Sequence, residues 1–173
     1  MKQLNKMLNN FKHSALRIET LPVYKIPGEW EEYLRYVNGV PEFSFEKNEW
    51  IKKIEKVTSN GGTMKRIRVV PNDINTYLKF EAETGYVPNF AAGEQILTLS
   101  SEKYNSLVED DLKGDYWIFD ETEVIKLNYD TNGKFNGSTL IVEKEKRNKI
   151  IKLFHTLYNV SDDLSTLLKS IRK

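Results

Sequence analysis

The chain has 173 residues, 39% hydrophobic and 29% charged, with a formal net charge of +1. That length supports one domain with a substantial core, and the even charge offers no long-range attraction to nucleic acid or to a membrane surface. With no cysteine, disulfides, thiol catalysis and cysteine metal sites are excluded.

No apolar run approaches the length of a membrane span. The first residues, MKQLNKMLNNFKHS, lack the hydrophobic segment of a signal peptide, so a cytoplasmic location is expected.

Leu4, Met7, Leu8 and Phe11 recur at helical spacing and predict a short helix over residues 3 to 12. From Ser14 to Leu21 the pattern alternates, with Leu16 and Ile18 on one face and Ala15, Arg17 and Glu19 on the other. This predicts a strand that stops at Pro22. Pro27-Gly28 opens a helix whose stripe is Trp30, Tyr33, Leu34 and Val37, and Asn38-Gly39 closes it. Pro41 to Phe45 reads as a loop. Asn48 is the expected N-cap of the next helix, with Trp50, Ile51, Ile54 and Val57 as its stripe.

The stretch from Gly61 to Glu83 is the most informative. A glycine turn leads into Met64–Val70, where Ile67 and Val69 share one face and Arg66 and Arg68 the other. Pro71 ends the strand. Asn72 or Asp73 is the expected cap of a helix striped by Ile74, Tyr77, Leu78 and Ala82. Glu81 falls on that apolar stripe, where a carboxylate is costly unless paired or wet. Arg66 or Arg68 is its nearest partner in sequence. Two readings stay open: a structural ion pair between strand and helix, or the wall of a pocket for a polar ligand.

Residues 84 to 94 show neither period, and their glycines let the backbone run close to a neighbour or a ligand. Gln95–Leu99 reads as a strand and Ser100–Asp111 as a loop with a turn of helix. Asp115–Asp120 is apolar on both faces and reads as a buried central strand. Thr122–Tyr129 and Lys134–Val142 flank Asn132-Gly133, a hairpin turn that completes an antiparallel meander. The chain ends in a helix striped by Ile150, Leu153, Phe154, Leu157 and Tyr158. A second helix follows with Ser161 as its cap and Leu164, Leu167, Leu168 and Ile171 inward. The pattern predicts one α+β domain over 1–173, with 161–173 as a C-terminal helical extension. Its sheet is mixed or largely antiparallel, flanked by about five or six helices.

His13 and His155 sit in no metal-ligand spacing, and there is no glycine-rich phosphate loop or nucleophile elbow. No metal site and no cofactor are expected. Glu19, Glu81, Glu94 and Asp120 adjoin apolar residues that could shift their protonation. The run Lys144–Lys149 is interrupted by acids and reads as a solvated helix face, which argues against direct nucleic-acid binding.

Several pieces together resemble a family of bacterial domains of unknown function, common in actinomycetes. They are Ser14–Tyr24, Pro27-Gly28-Glu29, Trp50, Lys65–Pro71, Tyr77–Glu81, Pro88–Glu94, Tyr116–Asp120, Tyr129-Asp130, Gly133 and Phe135. Members are often encoded beside helix-turn-helix regulators. The resemblance therefore implies a small regulatory domain whose partner is such a regulator or a small anionic ligand. A more distant likeness is to degenerate phospholipase-D-like regulatory domains. The H-x-K-x4-D of active members is absent here, since Ala15 stands two places after His13 and Leu157 two places after His155.

The candidate binding set is Arg17, Glu19, Arg66, Arg68, Tyr77, Glu81, Asn89, Glu94 and Asp120, with no catalytic residue assigned. The leading expectation is a non-enzymatic regulatory or interaction domain whose arginines offer paired donors to an anion or to the acids themselves. The alternative is an enzyme acting on a nucleotide or phosphate ester, with Glu81 or Glu94 as base and Arg68 as electrostatic stabiliser. A third reading is a mobile-element interaction protein that binds through its C-terminal helix.

Overall fold

A computed structural model describes residues 2–40 and 45–172. Its centre is a mixed seven-stranded sheet in the order β6-β5-β4-β1-β2-β3-β7. The strands are β1 (Ser14–Glu19), β2 (Thr63–Val70), β3 (Gln95–Ser100), β4 (Asp115–Phe119), β5 (Glu123–Tyr129), β6 (Phe135–Leu140) and β7 (Asp162–Asp163). β1, β2 and β3 run parallel, and every other pairing is antiparallel. Parallel neighbours need crossovers. Helices α2 (Glu29–Val37) and α3 (Phe45–Ser59) supply the first, and α4 (Thr76–Glu81) and α5 (Val87–Ala91) the second. The predicted meander is present as β4-β5-β6.

The two sheet faces differ in chemistry. One carries Leu16, Ile18, Ile67, Val69, Leu99, Tyr116 and Ile118, packed against Ile150, Leu153, Phe154 and Leu157 of α7 (Lys144–Val160). Because side chains alternate, the other face carries Ala15, Met64, Trp117 and Phe119 toward the amino ends of the parallel strands. α1 (Lys2–Asn10) and α3 cover these. The same face turns ionic at the carboxyl ends, at Arg17, Glu19, Arg66 and Arg68.

Several boundaries depart from the sequence pattern. α3 begins at Phe45, so Asn48 lies inside it and not at its N-cap; most of the expected loop over Pro41–Phe45 falls outside the described residues. The cap of α4 is Asn75, whose side chain accepts from the Leu78 amide; it is neither Asn72 nor Asp73. Residues 82–91 are helical: a π turn over Ala82–Tyr86 joins α4 to α5. The close approach expected near this segment is to α3: a Cβ on Gly93, at φ +108°, would lie 2.8 Å from the Thr58 hydroxyl. A full helix, α6 (Ser101–Leu107), replaces the expected loop after β3.

On α2, Trp30, Tyr33 and Tyr36 turn inward, whereas Leu34 and Val37 are 46% and 52% exposed. At the end of the chain Ser161 closes α7, and Asp163, not Ser161, holds the N-cap position of α8 (Leu164–Ile171), without a side-chain cap bond.

α8 lies at the β3 edge. Its Leu164 and Leu167 are buried with Leu78, Ala82, Tyr86 and Ile96. Deleting residues 161–173 should therefore cost about 3–6 kcal/mol, the burial energy of two leucines. A urea titration that gives the full-length midpoint for the truncated chain would make α8 an appendage.

Candidate functional site

β1 and β2 place Arg17 beside Arg66 and Glu19 beside Arg68. Like charges in register would repel, so acids from several elements fill the spaces between them. Glu19 accepts from Arg66 Nη1 in a very short contact and lies 3.3 Å from Arg17 Nε, so it bridges the two guanidiniums. Arg66 Nε donates to Glu94, just ahead of β3, at 3.0 Å. The other oxygen of Glu94 accepts from Asn89 of α5 at 2.8 Å. Arg68 donates to Glu81, at the end of α4, at 2.7 Å, and to the Leu21 carbonyl at 2.6 Å. Arg17 donates to Asp115, at the start of β4, at 2.9 Å.

Hydroxyls complete the layer. Tyr24 and Thr20 donate to Asp115 at 2.7 and 2.6 Å, and Tyr86 donates to Glu19 at 3.1 Å. The guanidiniums also lie over rings: Arg17 over Trp117, Arg66 over Tyr86 and Arg68 over Tyr24, at 5.3–5.6 Å from the centroids. Such stacking suits the weakly hydrated, planar guanidinium better than it would an ammonium.

The π turn fits this arrangement. One extra residue in a helical turn rotates everything beyond it. Tyr86 and Asn89, on its far side, reach Glu19 and Glu94, while Glu81, on its near side, reaches Arg68.

The layer is dry. Arg68 is 0% exposed, Glu94 1% and Asp115 2%. Three guanidiniums meet four carboxyls: Glu19, Glu81, Glu94 and Asp115. Burial resists charge on Glu19, but Arg66, Arg17 and Arg68 outweigh it and hold the carboxyl down at about 2. For Glu81 burial wins. Repulsion from Glu19 and Glu29 adds to it, and together they push the carboxyl up to about 8 against the pull of Arg68. A proton on Glu81 makes the charges even, and the neutral acid still accepts from Arg68 through its carbonyl oxygen. Burial also raises Tyr24 and Tyr86, which stay protonated as donors. Arg68 Nε is buried with no hydrogen-bond partner.

The structure thus joins Arg17, Glu19, Arg66, Arg68, Glu81, Asn89 and Glu94 in one network. Two predicted members lie outside it. Tyr77 packs against Tyr24 but donates to Glu29. Asp120, at φ 50°, accepts from the backbone amides of Lys12, His13 and Ser14 and fixes the entry to β1. Asp115, Thr20, Tyr24 and Tyr86 were missed. Asp115 stood at the edge of an apolar strand, and such acids in the flanks of strands facing arginines are the signal that could have found it.

Among the described residues no group of three or more His, Asp or Glu side chains is placed to hold a metal ion, and no helix is long and apolar enough to cross a membrane. Two surface grooves, of about 480 and 970 Å³, border α1 on either side, and neither is lined by a member of the network.

A family model described as a domain of unknown function, DUF6879, matches residues 2–168. The chain belongs to that family. The DUF6879 match runs well into α8. Among curated proteins there is no match. Among solved structures the DUF6879 chain is similar to Nuc, a phospholipase D family member from Salmonella typhimurium. The TM-score is 0.55 at 9% identity, over 94% of this chain and 88% of that one. It is also similar to TrmBL2, an archaeal chromatin protein described as showing a novel mode of DNA binding. Here the TM-score is 0.51 at 11% identity, over 94% of this chain; the match spans only 50% of TrmBL2. At these identities both likenesses speak of fold alone.

Two outcomes follow for the network. Arg66→Met strands the buried carboxyls of Glu19 and Glu94 and should cost about 3–5 kcal/mol. Adding Glu94→Leu should recover part of that, giving a coupling of about 1–3 kcal/mol in a urea-denaturation cycle. Strict additivity would mean the pair does not interact.

The second outcome is a pH slope. The folded state holds the Glu81 proton to about pH 8, whereas the unfolded chain releases it near the ordinary 4.5. Between those values the folded state binds more protons, so this group's contribution to stability falls as pH rises. Melting temperatures of Glu81→Gln should lack that decline, and parallel curves for wild type and variant from pH 4.5 to 8 would refute it.

Proposed function

We propose that this DUF6879 chain is a non-catalytic regulatory or interaction domain, and that the Arg–Glu layer is its internal brace. The observation that supports this most is the state of the would-be catalytic groups. Both oxygens of Glu94 are occupied, by Arg66 and Asn89, and Arg68 is closed to solvent. A general base must come within hydrogen-bond reach of a substrate proton, and an anion could enter only by displacing the carboxyls that already hold the arginines.

The histidines agree with this reading. His155 lies on the surface of α7 against Glu121 at 3.2 Å, and His13 is exposed ahead of β1. Neither begins the H-x-K-x4-D pattern of active phospholipase D enzymes, so the Nuc-like fold is read here as a scaffold without its chemistry. A partner such as a helix-turn-helix regulator, or an anion bound at the surface, is consistent with a rigid module of this kind.

One observation favours the enzyme alternative. A carboxyl raised to about 8 lies in the range of a general base. Hydrolysis of p-nitrophenyl phosphate and of bis(p-nitrophenyl) phosphate decides between them. We expect wild type to turn over neither faster than Glu81→Gln does. A rate that drops on that substitution, in a variant that melts no lower than wild type, would restore the enzyme reading.

A further inference from the structure

α1 lies across the sheet beside α3, and the larger groove, about 970 Å³, runs between them. Its floor is apolar: Leu8 and Phe11 of the amino-terminal segment, Trp50 and Val57 of α3. Its walls carry Lys12, Lys52, Lys53 and Lys56 against one acid among the described residues, Glu49. That acid is spent on Lys52, at 2.8 Å. Lys12, Lys53 and Lys56 have no carboxylate within ion-pair distance among the described residues.

Lys53 is the telling residue. Its ammonium is half-buried, donates to the Asn9 carbonyl oxygen at 2.7 Å and lies 5.8 Å from the Trp50 ring centroid. Burial shifts it in the lowering direction, and no anion among the described residues offsets that cost. Trp50 leans edge-on against Trp117 in the core, at 6.1 Å, and lines the groove. Along the chain no Asp or Glu occurs before Glu19; of the cations in that stretch Lys12 lines this groove, Lys2 and Lys6 line the one on the other flank of α1, and Arg17 is paired in the ionic layer. Within the groove the described lysines outnumber the described acids around an indole, despite the even net charge.

Unpaired ammonium groups beside a recessed ring match a polyanion whose units include a flat aromatic. We propose that the groove between α1 and α3 binds single-stranded nucleic acid, with Lys12, Lys53 and Lys56 on phosphates and Trp50 as a stacking surface for a base. Cationic grooves with stacking aromatics bind single strands with little regard to sequence. A duplex keeps its bases stacked inside and could not offer one to a half-buried indole. The inference deepens the reading of the chain as a binding domain and rests on that reading.

Fluorescence anisotropy of labelled oligo(dT) with the full chain tests it. Neutralising about three phosphates predicts a log–log salt slope of about −2, so a fourfold rise in salt weakens binding by about 20-fold. Lys12→Glu with Lys56→Glu should weaken binding by more than about tenfold at low salt. The same charge change on the opposite sheet face, Lys144→Glu with Lys152→Glu, both exposed on α7, should leave it within about twofold.

Equal losses in both variants would reduce the interaction to net charge and overturn the assignment. So would absence of binding, tighter binding of duplex, or a groove that takes poly-glutamate in preference to oligo(dT). Turnover of the phosphate esters alongside intact groove binding would instead overturn only the non-catalytic reading.

Discussion

Arg66 holds the architecture together. It sits in the central parallel pair, and its guanidinium reaches Glu19 on β1 with one nitrogen and Glu94 ahead of β3 with another. One side chain thus ties the carboxyl end of β1 and the middle of β2 to the segment that enters β3. The arrangement also fixes register. Arg17 faces Arg66 and Glu19 faces Arg68 across β1 and β2, and a slip of either strand by one residue would turn that strand's two charged groups into the leucine, isoleucine and valine layer under α7. Buried ion pairs contribute little net stability against a well-packed apolar alternative. Their stronger effect here is on specificity: the shifted pairings are made far worse than the native one.

The charge count explains why the layer tolerates an extra acid. Four carboxyls around three guanidiniums would leave a buried negative charge, which is expensive in a dry interior. Protonation of Glu81, favoured first by burial and then by its acidic neighbours, removes that excess. The residue that looked out of place on an apolar helical stripe is thus the one that adjusts. Glu19, bridging two arginines, stays ionised for the opposite reason.

Much of this was legible in the sequence, because alternation is a strong signal. Arg17 and Glu19 opposite Leu16 and Ile18, and Arg66 and Arg68 opposite Ile67 and Val69, fell on one face of their own strands by alternation; that the two faces coincide follows only from the β1–β2 pairing. Glu81 on an apolar stripe pointed to a partner, and Arg68 is that partner. What failed was local. Asn72, Asp73 and Asn75 all suit a helix cap, and only the tertiary position of Pro22, whose carbonyl takes the Asn75 amide, selects the last. The π turn left no period to read, since five residues with i→i+5 bonding break the 3.6 repeat. Asp115 joined the network across nearly a hundred residues of chain, a pairing that no spacing rule encodes. Leu34 and Val37 were misassigned because α2 packs through its three aromatic rings instead of its aliphatic residues.

The two sides of the ionic face then take different roles. At the carboxyl ends of the strands, where parallel sheets commonly place ligands, this chain has packed tyrosines, arginines and carboxyls until little donor capacity is left over. At the amino ends the same face is apolar, and α1 covers it incompletely, with no fully buried residue of its own and open grooves along both flanks. Charge that is satisfied attracts nothing, and charge that is unsatisfied does. Each arginine is paired with a carboxyl of its own chain, whereas Lys12, Lys53 and Lys56 have no carboxylate partner among the described residues. The cations without carboxylate partners among the described residues therefore lie away from the most charged layer, at the far end of the same sheet face.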